Sequence, residues 1–447
     1  MKGERMFSGR DLRKLLIPLI IEQVFTALMG TADTMMVARV GSAAVSGVSL
    51  VDSINTLVLY LLSALATGGT IICSQYIGRR DRAEAGRAAH QVILATLMLA
   101  LAMMAFCLAL RTPLLRLIYG SVEADVMASA QVYFLVTAIS YPFIALFSTY
   151  AALYRAAGNS RVSMLVSGGC NLVNIGGNAL LIFGLGLGVL GAALATLTSR
   201  VLSAVIMMLI QRRPNQPLDF GPITGIRPDF AVIRRVLSVG LPSGVENSMF
   251  QLGKLVVQST VSTLGTVAIA ANSIVYVLEA FSSMPSMAIG LGLVTVAGQC
   301  IGAGELEQAK YYIKRLTALS AVTLLGVNWL VMALTPGVTV LAGLEPQEAE
   351  MTIHVMLIIS IVKPFLWPLA FTPANGMRAA GDVRYNMCVT TISMWGLRVM
   401  LATVLCRCLG FGLTGIWIGY FADWGLRSVL FAGRFVRGKW ALHHVID

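Results

Sequence analysis

Carboxylate and amide side chains stand in this chain inside stretches that are otherwise apolar. Asp33 and Asp52 come first, Asn174 and Asn178 follow four residues apart, and Thr196 and Arg200 are again four apart. Four residues is about one helical turn, so each of the last two pairs presents its groups on one face. Counted along helices at ~1.5 Å per residue, Asp33, Asp52, Asn178 and Thr196 reach one depth, in the outer half of a bilayer. A carboxylate held in such a layer resists ionisation, which suits a group that takes up and releases a proton. The same oxygens suit Na⁺, a hard cation that favours oxygen ligands as Ca²⁺ and Mg²⁺ do. Asp33 is therefore the first candidate for binding H⁺ or Na⁺, and no other metal site is expected. Asp52 weighs more towards a structural part, and Asn174, Asn178 and Thr196 divide between lining the site and bonding helix to helix. Arg200 reads as a structural partner for a carboxylate or carbonyl.

The elements that position these groups must be membrane helices. Hydrophobic residues make up 57% of the 447, charged residues 12%, and the mean hydropathy is +0.79; a soluble domain carries about 25% charge. Uncharged runs cover 88–110, 126–154, 162–199, 280–303 and 316–344, and a helix needs ~20 apolar residues to cross a bilayer. Twelve spans follow, at roughly 14–38, 46–74, 88–110, 127–153, 162–184, 189–211, 232–262, 268–300, 312–334, 350–377, 385–406 and 412–433. The ~10-residue alternation of an outer-membrane barrel is missing. With both termini cytoplasmic, nearly all Lys and Arg fall on the inner side, and the outer side receives only Arg39, Arg111, Arg116 and Arg407, as the positive-inside rule requires. The net charge of +12 thus reflects topology, and its dispersal over short loops argues against a nucleic-acid surface.

The chain is also written twice. At an offset of 224 residues (242 − 18), Pro18 meets Pro242, Glu22 meets Glu246, Gly41 meets Gly265 and Gln75 meets Gln299. After a one-residue slip Arg155-Ala-Ala-Gly158 overlays Arg378-Ala-Ala-Gly381, and the offset then returns at Gly188 and Gly412. An even number of spans per half gives both halves the same orientation, as in parallel repeats of transporters. The expected fold is all-α and integral to the membrane, with twelve transmembrane helices as two six-helix parallel repeats. Its parts are an N-terminal lobe (1–211), a Pro-rich cytoplasmic linker (212–231) and a C-terminal lobe (232–447) with a short basic tail. The acid is not duplicated, because Val257 stands where Asp33 would repeat. The second half offers Glu246, Lys254, Glu279 and Lys363 instead, with Lys254 and Glu279 at comparable depth as a candidate pair. Arg398 and Asp423, both near mid-membrane, form a second. Glu22 and Glu246 read as symmetric inner features of a vestibule, and with Met29, Met249, Tyr276 and Glu279 they are candidates for lining a substrate cavity. Met is adaptable and aromatic faces attract organic cations.

Enzyme chemistry finds no support. A P-loop, a Cys/His cluster at metal spacing and a GxSxG elbow are all missing from the sequence, so no enzyme activity and no cofactor are expected, and energy has to come from an ion gradient. The seven cysteines lie mostly inside spans, where disulfide or metal chemistry is not expected. The expected partners are small organic molecules and the lipid bilayer, with no nucleic acid, and the chain is read as a monomer.

These residues resemble the multidrug and toxic compound extrusion (MATE) family over nearly the whole chain. The carriers are Ile17-Pro18 to Glu22, Gly30-Thr-Ala-Asp33-Thr34 to Val40-Gly41, Gln75-Tyr-Ile-Gly78 and the twin Arg-Ala-Ala-Gly segments. To these are added Asn174-Ile-Gly-Gly-Asn178 to Gly184 and Gly191-Ala-Ala-Leu-Ala-Thr196. The resemblance implies a V-shaped, two-lobed, twelve-helix bundle, an exporter in the cytoplasmic membrane. It exchanges cationic, lipophilic molecules for H⁺ or Na⁺ by alternating access, with Asp33 as its protonation or cation site. Some members carry a second Asp where this chain has Asn178, and the acid that others have in span 10 is replaced here by Lys363. A lipid-linked-precursor flippase or a dedicated metabolite exporter of the same superfold is the alternative.

Overall fold

The computed structural model describes residues 5–120, 122–213, 228–443 and 445–446. Most of the expected linker, 214–227, lies outside these described residues, as do Lys2, Pro214, Pro217, Pro222, Arg227 and His444. The described residues are helical, without a strand among them. In order the helices are α1 (Gly9–Ala38), α2 (Ser42–Gly78), α3 (Arg82–Ala109), α4 (Arg111–Tyr119), α5 (Ala124–Ile139), α6 (Tyr141–Ala156), α7 (Ser160–Asn178) and α8 (Gly188–Gln211). They continue as α9 (Phe230–Val261), α10 (Thr266–Gly302), α11 (Leu306–Leu341), α12 (Pro346–Ala379), α13 (Val383–Ser393), α14 (Met400–Arg407) and α15 (Gly412–Val436). Short π-helical segments continue α7 through Ala179–Gly184 and join α13 to α14 through Met394–Val399.

Nine of these helical stretches are long and apolar enough to cross a membrane, and the α5–α6 pair counts as a tenth. Helices α9 and α15, of 32 and 25 residues, have the length at ~1.5 Å per residue but are not among them. The protein is therefore a multi-pass membrane protein. Span 127–153, read as one helix, is two, bent by 48° at Ser140. Pro142 in the first turn of α6 explains the break, since its ring cannot sit inside a continuous helix without removing a hydrogen bond.

Local sequence sets the helix ends. Ser8 and Asp11 cap α1 reciprocally: Asp11 N–H donates to Ser8 Oγ at 3.2 Å and Ser8 N–H to Asp11 Oδ2 at 3.0 Å. The repeat is visible in the backbone. Helices α2 and α10 both open after a glycine with positive φ, Gly41 (142°) and Gly265 (91°). Both close through a left-handed residue, Arg80 (64°) and its repeat counterpart Gly304 (77°). Arginine bears some strain in that region, where glycine bears none.

Of the described residues, those within Arg13–Gly244 form one compact unit and those within Met1–Leu12 and Val245–Asp447 another. The first has its core around Val51, Ala100, Leu115, Phe134, Tyr141 and Ala193. The second has its core around Val261, Ala271, Val275, Leu324, Ile359 and Ile416. Both are built for lipid: Leu117, Leu172, Phe365 and Val429 are exposed while Thr137, Asn174, Asn328 and Thr352 are fully buried. Small residues allow close helix contact. A Cβ on Gly47 of α2 would lie 2.8 Å from Ser129 Cβ and 2.9 Å from the α5 backbone.

Candidate functional site

In the unit Arg13–Gly244, the polar layer expected from the spacing is assembled by α1, α2, α7 and α8. Asn174 and Asn178, one turn apart on α7, are fully buried. Asn178 Nδ2 donates to Asp33 Oδ1 at 2.5 Å and to Asn174 Oδ1 at 3.3 Å. Asn174 Nδ2 in turn reaches Thr196 Oγ1 of α8 at 3.5 Å. Asp33 is half-buried, so one side of its carboxylate stays reachable. Asn178 Oδ1 is buried without a hydrogen-bond partner among the described residues. An uncommitted carbonyl oxygen beside a carboxylate is the donor set a small hard cation takes.

Asp52 of α2 belongs to the same electrostatic neighbourhood. It accepts from Asn55 Nδ2 at 3.4 Å, has the Tyr133 hydroxyl nearby, and lies close enough to Asp33 for the two charges to interact. Arg200 of α8 interacts through space with both carboxylates. Its Nη1 donates to Ser140 Oγ at 2.6 Å, where α5 and α6 break. The guanidinium thus offsets part of the acidic charge through space, without an ion pair to either carboxylate among the described residues. Asn55, Tyr133, Ser140 and Tyr141, whose hydroxyl donates to Asn55 Oδ1 at 2.7 Å, were missed by the sequence reading. The three-residue spacing of Asp52 and Asn55 could have marked Asn55, and the Ser140-Tyr-Pro142 sequence could have marked the break.

In the unit holding Val245–Asp447, Glu279 of α10 pairs with Lys363 of α12 at 2.8 Å. The expected pair with Lys254 is thereby corrected. Lys363 also donates to Ser282 Oγ and Ser283 Oγ, both at 2.7 Å, and to the Glu279 carbonyl at 2.9 Å. Depth along a helix is countable from sequence, but rotation about its axis is not, and Lys363 holds the facing position. Asp423 of α15 bridges Arg398 and Arg427, the latter at 2.7 Å, and also accepts from Ser393. The Arg398–Asp423 pair is as expected, and Arg427 is an addition.

Glu22 and Glu246 occupy corresponding places in corresponding ion pairs. Arg155 reaches Glu22 at 3.8 Å and Arg378 reaches Glu246 at 2.5 Å, so the twin Arg-Ala-Ala-Gly segments each supply the cation. Ser163 donates to Glu22 and Thr390 to Glu246. Both carboxylates are buried. Met29, Met249, Tyr276 and Glu279 are half-buried, each with part of its surface accessible.

The MatE family profile matches residues 18–180 and again 242–404. An uncharacterized transporter of Bacillus subtilis, YisQ, is 29% identical over 431 residues, covering 95% of this chain and 93% of that protein. A probable multidrug resistance protein NorM of Thermotoga maritima is 29% identical over 445 residues, covering 98% and 94%. Among solved structures, the outward-facing conformation of a multidrug resistance MATE family transporter of the MOP superfamily superposes with a TM-score of 0.90. It is 20% identical and 96% of each chain is covered.

Proposed function

The chain belongs to the MatE family, and from that premise we propose that it is a secondary active multidrug exporter. It moves cationic, lipophilic small molecules out of the cell in exchange for H⁺ or Na⁺ by alternating access. The reading places the protein in the cytoplasmic membrane with both termini inside. It is supported by full-length likeness to a NorM protein named for multidrug resistance. The observation that carries the coupling is the Asp33–Asn178–Asn174–Thr196 chain of hydrogen bonds, built once, since Val257 replaces the acid in the repeat.

In this mechanism Asp33 is the titrating or cation-binding group. Asn178 holds its carboxylate in place and offers Oδ1 as a further ligand, and Asn174 and Thr196 fix Asn178. Asp52 and Arg200 set the local field. Loading of Asp33 from outside weakens its hydrogen bond with Asn178, which frees α1 to repack against α7. An ion drives that change only through unequal affinity for the two states.

The test is ethidium transport in inside-out vesicles carrying the protein or its Asp33→Asn variant, with a pH gradient and a Na⁺ gradient imposed separately. Flux driven by one gradient and lost in the variant supports antiport and names the ion. Full flux in the variant removes Asp33 from the coupling role. No flux of any cationic dye under either gradient sinks drug export and favours a lipid-linked-precursor flippase or a dedicated metabolite exporter.

A further inference from the structure

The second half keeps the architecture of the polar layer but not its charge. At the 224-residue offset, Tyr276 (276 − 52) replaces Asp52 and Tyr420 (420 − 196) replaces Thr196, and these two hydroxyls bond to each other. Cations gather around them. The Arg398 guanidinium lies 4.1 Å from the Tyr420 ring centroid. Phe250, on α9, has three cations about one ring: Lys254 at 5.0 Å, Arg398 at 5.0 Å and Arg427 at 5.3 Å.

Their charges do not balance. Asp423 serves both Arg398 and Arg427, and Glu279 is held by Lys363. Glu246, within electrostatic reach of Arg427, is already neutralised by Arg378. Lys254 interacts through space with Glu279 and with Arg398 but forms no ion pair or hydrogen bond among the described residues. Arg398 Nε, on a side chain 1% exposed, is buried without a partner among them. Four cations thus face two carboxylates. A ring quadrupole attracts a cation but cancels none of its charge, and buried charge without a counterion is strongly unfavourable.

One anion would remove half of that excess charge, and the edge of the cluster is open. Phe250, Lys254 and Tyr276 are half-buried, whereas Arg398, Asp423 and Tyr420 behind them are buried. We propose that the cluster recognises the carboxylate of an aromatic, amphipathic substrate, with Lys254 as its charge partner, Arg398 as a second donor, and Phe250 and Tyr276 as the surface for its ring. This assignment rests on the export reading and narrows it: zwitterions bearing a carboxylate are substrates, and they are preferred to the same molecules without it.

The test measures binding and transport apart. Tetramethylrhodamine and its methyl ester differ only in the carboxylate, and fluorescence anisotropy gives the affinity of each for the purified full chain in detergent. The free acid is expected to bind tighter. A charged hydrogen-bond partner carries roughly ten- to a hundredfold in affinity, so the acid-to-ester ratio should fall about tenfold or more in Lys254→Met. In Lys254→Arg it should stay within about threefold of the unmodified protein, because the charge and a hydrogen-bond donor to the carboxylate are kept. No preference for the acid in the unmodified protein, or an unchanged ratio in Lys254→Met, overturns the proposal. Ester binding in every variant serves as the folding control. Flux of both dyes in vesicles is read separately, so acid preference without flux of either dye defeats export while leaving the recognition site standing.

Discussion

Asn178 donates to the Asp33 carboxylate at 2.5 Å, joining α7 to α1 across 145 residues of sequence. Replacing the amide with an apolar isostere, Asn178→Leu, leaves Asp33 without its donor and removes the neighbouring carbonyl oxygen. A hydrogen bond to a charged group contributes about 1.5–3 kcal/mol, so gradient-driven dye flux should fall at least ~tenfold. Flux equal to that of the unmodified protein would show that Asp33 functions without this contact.

Asp423 is the carboxylate shared by two buried guanidiniums. Asp423→Asn should destabilise the protein by about 3–5 kcal/mol, the usual consequence of removing one partner from a buried pair. Adding Arg398→Met should restore part of that loss, since one of the stranded charges goes with it. Thermal unfolding of the single and double variants in detergent checks both statements, and strict additivity would refute the coupling.

The two repeat-related ion pairs should not be equally important. Glu246 and Arg378 meet at 2.5 Å, Glu22 and Arg155 at 3.8 Å. The Coulomb term falls with distance, so Glu246→Gln should lower the unfolding temperature more than Glu22→Gln. The reverse order would mean that the Ser163 contact to Glu22, rather than its arginine, holds that carboxylate.

Gly47 allows α2 to lie against the backbone of α5. Gly47→Ala should destabilise by about 1–3 kcal/mol, as overpacking does. Gly326→Ala, where nothing lies within 4 Å of the new Cβ, should be neutral or stabilising, by up to about 1 kcal/mol. Equal unfolding temperatures for the two variants would remove the steric explanation.

Much of this was legible in the sequence because a membrane helix has few degrees of freedom. Hydropathy and basic residues give the spans, and a spacing of four puts Asn174 and Asn178 on one face at a depth that can be counted. What a linear count lacks is rotation. The partner of Glu279 is Lys363 and not Lys254, though all three fall inside the spans expected from the sequence. The break at Ser140 carried a signal in Pro142, but the uncharged run from 126 to 154 concealed it. Tyr133 was invisible because an aromatic side chain in an apolar run announces its hydroxyl only through the neighbour it meets.

The single occurrence of Asp33, opposite Val257, has a genetic consequence. In a symmetric pair of identical subunits every side chain occurs twice, so an acid in one copy brings the same acid to the other. Joining two such units on one polypeptide lifts that restriction, and each can then be selected alone. The first half here carries the carboxylate, while the second carries Lys254, Arg398 and Arg427 around the Phe250 ring. Any substitution in this chain is therefore read by one lobe only, and loss of Asp33 cannot be covered by its twin.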